Sequence, residues 1–443
     1  MANEIVDIAA LEFLTELEEL DLSYNRIADI APLAANTGLG DGDEIDLRGN
    51  PISLESAETA IPVLVARGAA VQVPRAPRQY AIHDDRVLVF PIDEDIAAET
   101  AFSGLSLRDY AAEFYSSFED QFDFLMFFSN LDSIRDHEEA PYYGVYLSVR
   151  NDVEGTGRRE HYDNRYGSRE RLKGVIHFPY NRALMYGPSL HEILHAWANY
   201  AVPTAVGGHW GFSSANGQLG GFDLPDLRQI GEGKYAAGRF GTFANGGNGP
   251  GYSPIELYFA GYLPPEEVPD LWVAQDGHWE IGEDGKPIRT EDDHLVFRSQ
   301  DERTYTIDEI VALHGERLPA MADAQWHYRA AVILLTDERH PPTQEQLDLL
   351  SEHAAWFSLR ANDDSRLHNF FEATRGRGSI TLDGLATARK EVVGVPNGLP
   401  ASYGQVPPAH ASLVDGTCVT VDLSGERVAR TTTISSDFVI YNN

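Results

Sequence analysis

His191 and His195 stand four residues apart, and Glu192 directly follows the first, in the stretch SLHEILHAWANY over 189–200. On an α-helix, positions four apart share a face, with side chains roughly 5–6 Å apart. Both imidazoles can then reach one ion. Zinc takes neutral imidazole nitrogen as a ligand and leaves room for a third protein ligand and a water. Water on zinc loses its proton near neutral pH. A carboxylate beside the first histidine can accept that proton and pass it to a leaving amine. The pattern predicts a helix over 189–200 that holds Zn2+ through His191 and His195, with Glu192 as general base. At about 100° per residue, Leu190, Ile193, Leu194 and Trp197 form a buried stripe, the histidines sit on its shoulder, and Glu192 faces a cleft. A plainer reading exists, because Ser189-x-x-Glu192 is also a capping box. Composition alone yields the histidine pattern in roughly 0.04 of shuffled chains, which favours the metal.

His191-Glu192-x-x-His195 resembles the metal motif of the zincin superfamily of zinc metallopeptidases. The resemblance implies hydrolysis of peptide bonds in a protein or peptide substrate, with Zn2+ as cofactor. Two residues compete as third ligand. His209, in Gly207-Gly208-His209-Trp210, follows His195 by 14 residues, a spacing similar to that of the SprT-like metalloproteases. Glu256, 61 residues after His195 in Ser253-Pro254-Ile255-Glu256, resembles the gluzincin arrangement, in which a downstream helix supplies a glutamate. Ser253-x-x-Glu256 with Pro254 is also a capping signature. Metzincins place the third histidine about six residues after the second, where this chain has Ala201, so that pattern does not fit. Tyr258 is the first candidate for an oxyanion donor, with Tyr252 and His327 behind it.

These residues need elements to hold them. The apolar end of 118–128, then 143–149 and 174–179, read as buried strands before the metal helix. Residues 203–253 are glycine-rich and loop-like, and 246–251 reads as a flexible wall of the cleft. A helix over 253–262 stops at Pro264 and Pro265. A hairpin over 278–298 turns at Asp284-Gly285. Thr306-x-x-Glu309 starts another helix. Residues 328–336 read as a strand and 343–360 as an amphipathic helix.

The first 75 residues repeat. Ile5-Val6-Asp7-Ile8-x-x-Leu11 recurs as Ile27-Ala28-Asp29-Ile30-x-x-Leu33, and Leu20-x-Leu22-x-x-Asn25-x-Ile27 returns as Ile45-x-Leu47-x-x-Asn50-x-Ile52. This resembles the leucine-rich repeat. The resemblance implies inward leucines on short strands, asparagines that satisfy backbone groups where the strand turns, and a surface that docks a protein partner. The chain opens in the middle of a unit, so the array is expected to be the tail of a longer one or to be capped by the next domain.

Length and charge bound the rest. The chain has 443 residues, enough for two or three domains. Sixty-nine acidic residues outnumber 34 basic ones, for a formal charge of −35. Such a surface repels nucleic acid and anionic membranes and attracts cations and basic peptides. No apolar run reaches the roughly 18 residues of a membrane helix, and the N-terminus shows no export signal. Cys418 is the single cysteine, which excludes an intrachain disulfide. The expected class is α+β: a leucine-rich repeat solenoid over 1–75, a zincin-like metallopeptidase domain over 76–390, and a Pro/Gly-rich linker with a β-rich tail over 391–443. The rival reading makes the repeats a protein-binding module that carries a catalytically inactive zincin-like scaffold.

Overall fold

A strand buried on both faces must be apolar at nearly every position, and Phe124-Leu-Met-Phe-Phe-Ser129 meets that demand. It lies inside the main sheet of this computed structural model, which describes residues 5–73, 80–98, 105–138, 142–238, 240–363 and 365–390 and two short strands beyond. Met1–Lys390 forms one compact unit and Glu391–Asn443 a second. The architecture is mixed helix and sheet.

The N-terminal part stacks three parallel strands, β1 (Glu19–Asp21), β2 (Glu44–Asp46) and β3 (Ala70–Gln72), with Leu20 opposite Ile45 and Ile45 opposite Val71. Helices α1 (Ala31–Ala35) and α2 (Leu54–Ala66) connect them. Leu22, Ile27, Ile30, Leu33, Ile45, Leu47 and Leu64 are buried in one core between these strands and helices. Asn50 Nδ2 donates to Leu22 O (2.8 Å) and Leu47 O (3.1 Å), while its Oδ1 accepts from Ile27 N (3.1 Å). One side chain thus satisfies backbone groups after two neighbouring strands, β1 and β2, a role that suits an asparagine at both Asn25 and Asn50.

The main sheet uses β4 (Ala81–His83), β5 (Val87–Pro91), β6 (Phe124–Ser129), β7 (Val145–Ser148), β8 (Gly174–Phe178), β9 (His327–Thr336) and β10 (Ser379–Thr381). Its order is β4-β5-β9-β6-β8-β7, with β10 added alongside the start of β9. β5, β9, β6 and β8 are parallel, and β4 and β7 are antiparallel edges. The two faces follow from strand alternation. Leu125, Phe127, Ile333 and Leu335 pack on the aromatic helix α3 (Leu105–Ser117). Phe124, Met126, Ile176 and Val332 pack on the opposite side against α4 (Ser189–Leu194), α5 (Pro254–Ala260) and α6 (Gln344–Phe357).

Several expectations need revision. The metal helix ends at Leu194, not near 200. The stretch 143–149 gives a half-buried edge strand rather than a buried one, because nothing continues the sheet past β7 among the described residues. Residues 203–253 are not all loop. Arg228–Gly231 and Lys234–Ala237 join His278–Trp279 and Leu295–Arg298 in a small sheet over Phe212, Phe222, Phe240 and Phe297. The 278–298 stretch turns near Asp284-Gly285 as expected and again at 290–294, where Thr290 N donates to His294 O. Helices Ile307–His314 and α6 carry the capping boxes of Thr306 and Thr343. Val419–Val421 pairs with Arg427–Ala429. The expected boundary at 75/76 and most of the tail lie outside the described residues. No described helix is long and apolar enough to cross a membrane.

Candidate metal centre

The metal helix is held at both ends by side chains from elsewhere. Asn248 is fully buried, and its Nδ2 donates to Leu184 O (2.9 Å), Met185 O (3.0 Å) and Ser189 Oγ (2.9 Å). The glycine-rich 246–251 stretch is therefore a latch on the start of α4, not a flexible wall. Ser189 lies inside the helix and donates to Leu184 O (2.7 Å), the N-cap residue Pro188 makes no side-chain cap bond, and the first-turn Leu190 N donates instead to Asn248 Oδ1 (3.3 Å). The capping reading of Glu192 fails for that reason. At the other end, Arg158 Nη1 (2.7 Å) and Asn199 Nδ2 (2.8 Å) donate to His195 O. They stop the helix, and Arg158 places a cation where the helix dipole is negative. A tight turn still carries the chain to Trp197, which packs on Phe124.

The structure brings His191, His195 and His209 together, with their ligand atoms within 4.8 Å of one another. His191 Nε2 lies 3.2 Å from His195 Nε2 and 3.2 Å from His209 Nε2. Tetrahedral zinc with Zn–N bonds of about 2.0–2.1 Å sets its nitrogens about 3.3 Å apart, so the spacing fits one small cation. The other ring nitrogens decide the tautomers. His191 Nδ1 faces Gln218 O (2.8 Å), His195 Nδ1 faces Asn199 Oδ1 (2.6 Å), and His209 Nδ1 faces Gly207 O (3.3 Å). All three partners are acceptors, so each Nδ1 carries the proton and each Nε2 presents a lone pair. Lone pairs facing each other repel unless a cation lies among them. Burial lowers the pKa of His191 to about 4 and of His195 to about 3, and holds His209 well below its ordinary value. The imidazoles are neutral at physiological pH, as ligands must be.

Glu192 is 4% exposed, and burial raises its pKa to about 8. A cation among the imidazoles would pull it down again. Gly144, just before β7, lies against it. A Cβ at Gly144 would sit 2.7 Å from Glu192 Oε1 and 2.9 Å from Pro188 Cγ. Only glycine lets the edge strand approach the carboxylate this closely.

Glu256 does not join the histidines. Its fully buried carboxylate accepts from Trp210 Nε1 (2.8 Å) and Leu219 N (2.8 Å) on Oε1, and from Gln218 N (3.0 Å) and Ser253 N (2.8 Å) on Oε2. It caps α5, as the sequence allowed, and also pins the 210–219 loop. Gly217 touches the carboxylate as well, since a Cβ there would lie 2.1 Å from Glu256 Oε2. Tyr258 and Tyr252 act elsewhere. The Tyr258 hydroxyl interacts with Arg317 and Glu316, and Tyr252 Oη donates to Leu190 O (2.8 Å). His327 bonds Ser379 Oγ (2.8 Å) at the start of β9. None of the three is brought to the histidines.

Sequence reading missed Asn199, Gln218, Asn248 and Gly144. Asn199 had a signal, since it extends the four-residue spacing of His191 and His195. Gln218 contributes through its backbone carbonyl, which no side-chain pattern reveals. Comparison with protein-family models, curated proteins and solved structures finds no match.

Proposed function

We propose that the chain is a zinc-dependent metallopeptidase of the zincin type, with a short leucine-rich repeat array at 5–73 as a docking surface for a protein substrate or partner. The observation that carries this reading is the buried His191–His195–His209 cluster, with the Nε2 of His191 3.2 Å from those of both partners and each Nδ1 facing an acceptor. His191, His195 and His209 hold the ion. Zinc, when bound there, supplies the Lewis acidity that makes water nucleophilic at neutral pH. Glu192 takes the proton of the attacking water and delivers it to the leaving amine nitrogen. Burial makes the carboxylate a readier holder of a proton, and a cation among the imidazoles offsets that rise so that the group can be ionised to accept one.

A peptide substrate is favoured over other hydrolysable groups by β7. This edge strand sits beside the metal helix, with Gly144 over Glu192 and the Tyr146 ring 6.5 Å from the His195 ring. An open edge offers backbone N–H and C=O groups to an extended chain. The test is metal content by elemental analysis after dialysis against a weak chelator, followed by a peptidase assay. About one zinc per chain is expected, with Glu192→Gln retaining zinc and losing hydrolysis. A correctly folded protein without metal, or undiminished hydrolysis by Glu192→Gln, overturns the proposal.

A further inference from the structure

Net charge alone points this protein toward basic substrates. The groups around the metal centre do not. Among the described residues, Tyr146, Phe243, Gly144 and Asn199 lie against the imidazoles or Glu192, and none carries a charge. The nearby guanidinium of Arg158 is occupied with His195 O.

Phe243 is the most telling of them. Its ring meets the His209 ring edge-on at 5.5 Å, yet the residue is 37% exposed. The loop that carries it is pinned on both sides. Thr242 O accepts from Gly211 N (3.0 Å), and Asn245 ties Gly241 N (2.9 Å) to Gly221 O (3.0 Å). Phe243 is thus a fixed apolar wall beside the third ligand. Tyr200, 45% exposed, lies beside the loop that leads to this histidine, with its Cε1 3.9 Å from where a Cβ on Gly207 would sit. An exposed aromatic ring held beside a candidate metal centre suits ligand recognition, because it offers large contact area at small entropic cost.

We infer that the site selects peptides with an uncharged aromatic or large aliphatic side chain next to the scissile bond, received by Phe243. This rests on the peptidase reading and names its substrate class. The side chain packs on Phe243 while its peptide group lies at the histidines, so specificity and chemistry meet at His209.

The test uses the full-length, zinc-loaded chain and two peptides that differ only in a central Phe or Lys. Binding is measured by calorimetry on Glu192→Gln, and cleavage by mass spectrometry on the wild type. Burial of one Phe side chain predicts binding of the Phe peptide at least about tenfold tighter, with cleavage adjacent to that residue. Phe243→Ala should erase most of that difference, raising KM for the Phe peptide more than it lowers kcat. Phe243→Leu should keep the preference, and zinc content reports whether either variant disturbs the centre. Equal affinity, or tighter binding of the Lys peptide, overturns the inference and leaves the peptidase reading standing. Zinc-loaded wild type that cleaves neither these peptides nor an unfolded protein overturns both.

Discussion

Replacing Glu256 by Gln tests whether this carboxylate is the anchor of the metal centre or a ligand within it. Each carboxylate oxygen accepts two donors, Trp210 Nε1 and Leu219 N on one and Gln218 N and Ser253 N on the other. An amide has one oxygen, so either orientation sets its NH2 against two buried donors. Each buried donor left unsatisfied costs about 1–3 kcal/mol, which gives roughly 2–6 kcal/mol in total. Folded domains commonly have only about 5–15 kcal/mol to lose, so the melting temperature should fall on the order of 10 °C. Gln218 carries the carbonyl that fixes His191, and Trp210 follows His209. Zinc affinity should therefore drop about 10–100-fold, as for other groups that orient ligands. The assay is thermal unfolding with and without zinc, together with chelator competition for affinity. His209→Ala is the control and should lose zinc while the chelated protein melts nearly as wild type does. A Glu256→Gln protein with unchanged melting and zinc affinity refutes the anchoring argument. Stoichiometric zinc in His209→Ala, lost in Glu256→Gln, would make Glu256 the ligand.

Gly144→Ala should reduce kcat about 100-fold, the scale of a 1 Å misplacement of a catalytic group, because its Cβ would press on Glu192 Oε1. Zinc content should stay at the wild-type level, and undiminished turnover would show that the carboxylate tolerates displacement. Stability should also fall in mild acid through His177, which is fully buried between Tyr142 Oη (2.7 Å) and Ser129 Oγ (3.0 Å), with its pKa lowered by burial to about 3. The unfolded chain binds this proton below about pH 6.5 and the folded one does not. The contribution is complete above that pH and is lost as pH falls toward 3, at about 1.4 kcal/mol per pH unit. Urea midpoints measured from pH 7.5 to 5 should decline, and a flat profile would show that the folded protein accommodates the charge.

Legibility differed sharply among the site residues. His191, Glu192 and His195 are readable because helical spacing alone puts them on neighbouring faces. His209 and Glu256 were both compatible with the sequence, since each lies near a plausible loop or helix start. What separates them is that the Glu256 carboxylate is consumed by three backbone N–H groups and one indole, and backbone donors leave no letter in a sequence. The helix was read too long because Asn199 and Trp197 continue its periodicity, while Arg158, far upstream, ends it. In the fold, β6, β8 and β9 announced themselves as uninterrupted apolar runs. The strand Arg228–Gly231 did not, because it is polar and exposed along its length. The β7 segment looked buried because its residues suit a strand interior, but burial depends on what lies beyond the sheet edge.

The order of the main sheet also sets a schedule. β9 lies between β5 and β6, yet it is the last of the three to leave the ribosome. About 200 residues separate β6 from β9, and at roughly 5–20 residues per second their synthesis takes on the order of 10–40 s. During that interval the apolar edge of β6 has no central neighbour, and the stripe of the metal helix lacks Val332 and Leu334, which share its core. All three histidines have been made by then. A nascent chain therefore carries all three histidines well before the strand that backs them, and their packed arrangement is completed only after β9 closes the gap.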